Sequence, residues 1–129
     1  MDKIVHFEIP ADQVERAQKF YTQAFGWQIS PMPGDIPYWG VNTTEVGPDF
    51  RPKEPGAING GMFKRDDKLR TPVLVMNVQE IKAAVERVKA AGGKIVTDPY
   101  PVADLGIVAY FQDTEGNILG MWQELKRPG

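Results

Sequence analysis

The chain has 129 residues, which suits one domain with a core and is too short for two independent domains. Its 15 basic and 17 acidic residues are interspersed, so nothing favours a nucleic-acid or anionic-membrane partner. The lack of cysteine excludes disulfides, thiolate nucleophiles and cysteine-bound zinc. The first residues enter a strand pattern without an apolar leader, and no later apolar run is long enough to cross a membrane. We therefore expect a cytoplasmic protein.

The first half predicts a strand, a helix and three more strands. Residues alternate in polarity from Lys3 to Ile9, after which Pro10 breaks the pattern and Asp12 is expected to cap a helix that ends near Gly26. The apolar positions of this helix predict one buried stripe and are Val14, Ala17, Phe20, Tyr21, Ala24 and Phe25. The three later strands are predicted at residues 27–30, 38–43 and 58–64.

The second half repeats this order. Strands are predicted at residues 71–78, 94–98, 107–112 and 117–124, with a helix at residues 79–91. One offset of 67 residues matches Val14 with Ile81 and Gly26 with Gly93, and it also pairs His6 with Val73. The pattern predicts a single domain over residues 1–129 made of two βαβββ modules, at about 1–66 and 70–126. The alternative is a chance echo between two strand and helix units.

The last strands of the two halves also match each other. Gly60-Gly61-Met62-Phe63 resembles Leu119-Gly120-Met121-Trp122. The offset is shorter here because the first half carries the segment Thr44–Ala57, which is rich in proline and glycine. A loop of this length is either a lid over a site or a plain insertion, and the sequence does not separate these two interpretations.

Three motifs together resemble the vicinal oxygen chelate superfamily, which includes glyoxalase I, bleomycin-resistance proteins and extradiol dioxygenases. The motifs are the opening strand at residues 4–9, the helix end Phe20-Tyr21-Thr22-Gln23-Ala24-Phe25-Gly26-Trp27, and the turn Asp113-Thr114-Glu115-Gly116-Asn117. Each has a structural reason: a glycine ends the helix, Phe20 and Tyr21 are expected to pack on the sheet, and the turn residues tolerate positive φ. The resemblance implies an α+β fold in which two βαβββ modules form a cupped mixed sheet.

The resemblance also implies where a metal would be held. In metal-using members the ligands come from the first and last strands of each module, and these positions correspond here to His6, Gly61, Val73 and Gly120. Only His6 can bind a metal, and catalytic metal centres normally use three protein ligands. Glu8 shares a strand face with His6, but a third ligand such as Asp49 or Glu54 would still be needed. We therefore expect no family-type metal and no cofactor.

Without these ligands, the cup is expected to be wider and less polar, and to hold an aromatic or amphipathic molecule. His6 and Glu8 are the candidate catalytic residues, because His6 is the sole histidine and titrates near neutrality. A half-buried structural histidine is the alternative. The candidate ligand contacts are Trp39, Gly61, Phe63, Val73, Val75, Gly120 and Trp122.

Two functional classes remain open. The first is a protein that binds a small molecule in a metal-free cup, as the resemblance to bleomycin-resistance proteins implies. The second is an enzyme: a metal-independent lyase or isomerase using His6 and Glu8, or a relative of lactoylglutathione lyase or the dioxygenases with a non-standard metal site. Relatives commonly pair their modules within or between chains, so we also expect a homodimer burying part of Trp27, Trp39 or the proline-rich loop.

Overall fold

A computed structural model describes residues 1–49 and 51–125. These residues form eight strands and two helices in the order that the sequence predicts, which confirms an α+β fold of two βαβββ modules. The first module consists of β1 (Lys3–Ala11), α1 (Val14–Phe25), β2 (Gln28–Pro31), β3 (Trp39–Asn42) and β4 (Gly60–Lys64). The second consists of β5 (Val73–Asn77), α2 (Ile81–Ala90), β6 (Lys94–Val102), β7 (Gly106–Gln112) and β8 (Ile118–Glu124).

The chain divides into two compact units. The N-terminal unit is His6–Pro72, and the C-terminal unit combines Met1–Val5 with the described residues from Val73 onward. The strand β1 therefore contributes to both units. The predicted end of the second module, residue 126, lies outside the described residues.

The two units use the same strand pairing. In the N-terminal unit β1 pairs in parallel with β4, and β4, β3 and β2 follow one another as antiparallel neighbours. In the C-terminal unit β5 pairs in parallel with β8, and β8, β7 and β6 are antiparallel neighbours. A parallel pair needs a crossover connection, and the crossover is where each module places its helix.

One face of each unit's strands packs against its helix. In the N-terminal unit the buried residues are Ala11, Ile29, Val41 and Met62, with Phe7, Ile9 and Trp39 packed against them. In the C-terminal unit they are Val78, Ile81, Ala84, Val85, Ala109, Phe111 and Met121. The opposite face carries His6 and Glu8, because side chains alternate along a strand.

The helix α1 departs from its predicted packing. The expectation that Phe20 and Phe25 are buried is wrong: 58% of Phe20 and 64% of Phe25 is exposed. Val14, Ala17 and Tyr21 form the stripe that meets the core, and Phe20 lies about 120° around the helix from Val14. Phe25 is the last residue of the helix, where it contacts the Trp27 ring at 6.0 Å between centroids.

The helix boundaries also differ in detail from the prediction. Gln13, rather than Asp12, is the N-cap residue of α1, and its side chain makes no capping hydrogen bond. Asp12 lies instead 3.5 Å from Arg65 Nε. Gly26 ends α1 as predicted, with φ of 75°, a left-handed conformation that glycine adopts without strain.

The predicted hairpin turn after β7 is confirmed. Asp113 Oδ1 accepts hydrogen bonds from the backbone N–H groups of Glu115 and Asn117, and Gly116 takes a φ of 87°. The Asn117 side chain donates to Asp113 Oδ2 at 3.0 Å. These bonds hold the pKa of Asp113 below its usual value, the side-chain bond from Asn117 being the largest cause.

The segment 44–57 contains a small hairpin of its own. Val46 and Pro52 form an antiparallel bridge, and Lys53 N–H donates to Glu45 O at 2.8 Å. Asn59 Oδ1 accepts from the backbone of Thr43 and Thr44 at the start of the segment. Whether this hairpin is a lid stays a prediction. No helix among the described residues is long and apolar enough to cross a membrane.

Candidate functional site

The His6 face of the N-terminal unit brings together residues from three strands or their ends. His6 and Glu8 lie two positions apart on β1, and therefore on one face. Glu8 lies opposite Gly61 of β4, which in turn lies opposite Gly40 of β3. Two glycines thus lie side by side on neighbouring strands next to Glu8, and they leave room above the backbone.

The room above Gly61 is filled by Tyr38. A Cβ atom placed on Gly61 would fall inside van der Waals contact with the hydroxyl oxygen and ring carbons of Tyr38. The expectation that this glycine widens the floor of the site is therefore wrong for this position. The ring of Tyr38, just before β3, occupies the space where the resemblance implies a metal-binding side chain.

The Tyr38 hydroxyl connects the two candidate catalytic residues. It donates a hydrogen bond to Glu8 Oε2 at 2.7 Å and lies 2.9 Å from His6 Nε2. Only 5% of Glu8 is exposed. A buried carboxylate needs hydrogen-bond donors to offset its lost hydration, and the phenol supplies one at the short distance typical of a charged acceptor.

The environment keeps His6 neutral at physiological pH. Burial lowers the pKa of His6, because it disfavours the imidazolium, and the nearby Glu8 carboxylate opposes this effect by raising the pKa. The net pKa is below the usual value. A neutral imidazole keeps one nitrogen as a hydrogen-bond acceptor, which is the form that can take a proton from a ligand.

The remaining predicted contacts of this unit fall on opposite sides of the sheet. Phe63, two residues after Gly61, shares the His6 face and is half-buried. Trp39 lies opposite Met62 and packs into the cluster against α1. Trp39, a predicted ligand contact, therefore lies on the helix-facing side of the sheet and not on the His6 face.

In the C-terminal unit the other predicted contacts lie among closely packed side chains. Val73 and Val75 are buried. A Cβ on Gly120 would lie 3.1 Å from Val75 Cγ2 and 3.3 Å from Tyr110 Cε1, so an aromatic ring fills the space beside this glycine too. Trp122 is half-buried. The role of these four residues in binding stays a prediction.

The donor set does not fit the metal that the resemblance implies. Among the described residues no three histidine, cysteine, aspartate or glutamate side chains are grouped so that they could hold a metal ion. His6 and Glu8 are bridged by the Tyr38 hydroxyl, and Gly61 and Gly120 are covered by tyrosine rings. The described residues therefore do not bring three protein ligands to one point, as a catalytic metal centre requires.

Tyr38 is the site residue that the sequence analysis missed as a partner of His6. The sequence predicts Tyr38 as the first residue of the strand at residues 38–43, whereas the structure places it just before β3. Strand alternation alone could not show which strand its ring would cover. A signal was present in the glycines, because Gly40 and Gly61 fall on consecutive predicted strands. An aromatic ring from a neighbouring strand is one way in which a strand glycine is covered.

Comparisons with known proteins agree with this architecture. A family model described as the Glyoxalase/Bleomycin resistance protein/Dioxygenase superfamily matches residues 3–121. A glyoxylase-like domain-containing protein of Didymella fabae is 36% identical over 121 residues, with 89% of this chain and 88% of that protein covered. A lactoylglutathione lyase of Arabidopsis thaliana is 25% identical over 120 residues, which are 88% of this chain and 41% of that protein.

The solved structures show the same fold at low identity. A Streptomyces coelicolor methylmalonyl-CoA epimerase variant in complex with 2-nitronate-propionyl-CoA superimposes with a TM-score of 0.70 at 11% identity, over 96% of this chain and 98% of that one. The chain spans between 41% and 46% of the length of four curated relatives, the Arabidopsis lyase among them. At this identity the structural likeness speaks for the fold alone.

Proposed function

Because the chain belongs to the glyoxalase/bleomycin resistance protein/dioxygenase superfamily, we propose that it binds a small organic molecule, aromatic or amphipathic, on the His6 face without a metal ion. The observation that carries this proposal is the Tyr38 hydroxyl, which lies over Gly61 and is within hydrogen-bond distance of both His6 and Glu8. The polar groups of this face are thereby satisfied by one another, and His6 remains able to accept a hydrogen bond from a ligand.

The relatives support an organic ligand in general terms. One is named for lactoylglutathione, and a structural neighbour is named for methylmalonyl-CoA and was solved with a propionyl-CoA analogue. Both names refer to small organic molecules. We propose that this chain binds such a ligand on the His6 face, with Phe63 supplying apolar contact beside Gly61.

A second candidate function, proton transfer, is supported by one specific observation. A neutral imidazole is joined to a buried carboxylate through a phenol, and such a linked acid and base is the kind of group that abstracts a proton from a substrate. On this candidate, the chain is a metal-independent lyase or isomerase in which His6 moves the proton and Glu8 stabilises the charge that forms.

The proposal predicts selective stabilisation by organic ligands. We expect small aromatic and amphipathic metabolites, screened by thermal unfolding, to raise the Tm of the wild-type protein, because a ligand that binds only the folded state shifts the unfolding equilibrium. His6→Ala should lose most of this stabilisation. Nickel, zinc, manganese and iron should add none, and elemental analysis of the purified protein should find no stoichiometric transition metal.

Trp39→Phe is the matched control for this screen. It changes an aromatic residue on the helix-facing side of the same strands, so it should keep the ligand response of the wild-type protein. A Trp39→Phe protein that loses the response while His6→Ala keeps it would contradict the proposed face. About one metal per chain that disappears in His6→Ala would contradict the metal-free site.

A further inference from the structure

The three polar groups of the site form a directional chain of hydrogen bonds. A phenol has one proton, and Tyr38 uses it toward Glu8 Oε2 at 2.7 Å. The contact of 2.9 Å between Tyr38 Oη and His6 Nε2 then needs a proton from the imidazole. The neutral ring must therefore carry its hydrogen on Nε2, which leaves the lone pair on Nδ1.

The Nδ1 atom is open to an incoming molecule. It has no hydrogen-bond partner among the described residues, yet the only fully buried side-chain nitrogen or oxygen without a hydrogen-bond partner in that part of the chain is Arg65 Nε. It follows that Nδ1 keeps contact with solvent. The ring thus points one nitrogen into the protein network and offers the other as an acceptor.

The charge of Glu8 decides which ligands Nδ1 favours. The buried carboxylate stabilises positive charge on the imidazole and repels an anion brought to the same face. Among the described residues, Glu8 is the charged group whose electrostatic interaction shifts the His6 pKa. Tyr38 is a second titratable residue, and its hydroxyl contacts the His6 ring. A neutral ligand with an O–H or N–H group can donate a hydrogen bond to Nδ1 and is not repelled by the Glu8 carboxylate.

We infer that Tyr38 is a positioning residue, which connects Glu8 to His6, holds the imidazole in its Nε2–H tautomer, and so directs Nδ1 toward a neutral ligand that carries an O–H or N–H group. This inference deepens the proposed function and rests on it for the place of the ligand. The tautomer is a property of the free protein and can be measured without any ligand.

The single histidine makes this test direct. In uniformly ¹⁵N-labelled full-length protein, one imidazole contributes the ring signals, and the ¹⁵N shifts distinguish the protonated from the unprotonated nitrogen. We expect the wild-type protein to show the Nε2–H tautomer above the His6 pKa. Tyr38→Phe keeps the ring over Gly61 but removes the hydroxyl, so it should lose this single tautomer and give a mixture.

Two further variants separate positioning from general damage. Tyr21→Phe removes a hydroxyl from the ring stacked on Trp27 at 4.8 Å, away from the His6 face, and should leave the tautomer unchanged. Glu8→Gln should lower the His6 pKa further, because it removes the carboxylate that favours the imidazolium. An Nδ1–H tautomer in the wild-type protein, or the same single tautomer in Tyr38→Phe, would overturn the inference.

Three benzene derivatives, each with one substituent, test the ligand class. Phenol is a neutral donor, anisole is a neutral ring without a donor, and benzoate is an anion. We expect phenol to produce a saturable shift of the His6 Nδ1 signal, and the other two to produce a response at least tenfold weaker at equal concentration. Equal responses from all three, or none from phenol, would defeat this ligand class.

The inference and the proposed function can fail separately. If His6→Ala abolishes stabilisation by organic ligands but the ring shows the Nδ1–H tautomer, the binding face stands and the role of Tyr38 falls. If the tautomer is as expected but His6→Ala does not change the stabilisation by any organic ligand, the hydrogen-bond chain is structural and the proposed binding face is wrong.

Discussion

At the scale of single residues, Gly61 and Tyr38 act as one packing unit. A side chain on Gly61 would enter the volume of the Tyr38 phenol, so Gly61→Ala must displace the ring and disturb its bonds to His6 and Glu8. We expect this substitution to lower the free energy of unfolding by about 1–3 kcal/mol, as overpacking of a filled site does. Urea denaturation measures this loss.

A double-mutant cycle tests the cause of that loss. In a Tyr38→Ala background the added methyl group has space, so the effect of Gly61→Ala should shrink by more than about 0.5 kcal/mol, a coupling typical of residues in contact. Additive effects of Gly61→Ala and Tyr38→Ala would show that the glycine is needed for another reason, such as the close backbone pairing with Glu8.

At the scale of elements, the two helices differ in what they bury. Three residues of α2, Ile81, Ala84 and Val85, are buried, whereas no residue of α1 is. Phe20 of α1 stands at the repeat position of Arg87 in α2, which binds Asp2 at 3.2 Å on the surface. Phe20 at this surface position, together with the exposed Phe25, gives α1 an apolar patch that α2 lacks.

The predicted homodimer contact includes Trp27, whose ring lies 6.0 Å from that of Phe25, and we expect the neighbouring patch of Phe20 and Phe25 to extend this contact. Replacing both with glutamine should shift the protein toward monomer in analytical ultracentrifugation, because the contact loses its apolar area. Each replacement should change the free energy of unfolding by less than about 1 kcal/mol, since both side chains are largely exposed.

Ile81→Ala in α2 is the contrasting variant. It removes a buried side chain and should lower the free energy of unfolding by about 2–5 kcal/mol, without a direct effect on association. A wild-type protein that sediments as a monomer at micromolar concentration would contradict the dimer. A large loss of stability in Phe20→Gln or Phe25→Gln would show that α1 is a packed helix in solution.

At the scale of the whole molecule, the neutral His6 makes folding stability depend on pH. The unfolded chain binds a proton at histidine near pH 6.5, whereas the folded chain does so only at lower pH, because burial lowers the His6 pKa. Between these two values the unfolded state holds more protons. The free energy of unfolding should therefore fall as pH drops from about 6.5 toward the folded pKa, by at most about 1.4 kcal/mol per pH unit.

Urea denaturation between about pH 7.5 and about pH 5.5 measures this dependence, and His6→Gln provides the comparison. The variant should show a flatter profile, because glutamine does not titrate. Asp113, whose pKa is also lowered, contributes stabilisation that is lost only as pH falls toward the acidic range, outside this window. A wild-type profile as flat as that of His6→Gln would mean that His6 titrates normally in the folded state.

The sequence by itself determined the order of elements and the faces of the strands. The offset that matches Val14 with Ile81 and Gly26 with Gly93 yielded two βαβββ modules, and alternation placed His6 and Glu8 together, away from Phe7. These inferences succeed because the periods of strands and helices, and the conformations open to glycine, follow from local backbone geometry.

Only the tertiary structure decided which side chain fills each space. Tyr38 lies over Gly61, Trp39 turns to the helix side, and Phe20 stays at the surface, although all three are aromatic residues in apolar stretches. Which ring covers a glycine depends on the register of strands about 20 residues apart in sequence. The Tyr38 bridge between His6 and Glu8, and with it the chemistry of the site, arises from that long-range pairing because no local pattern specifies it.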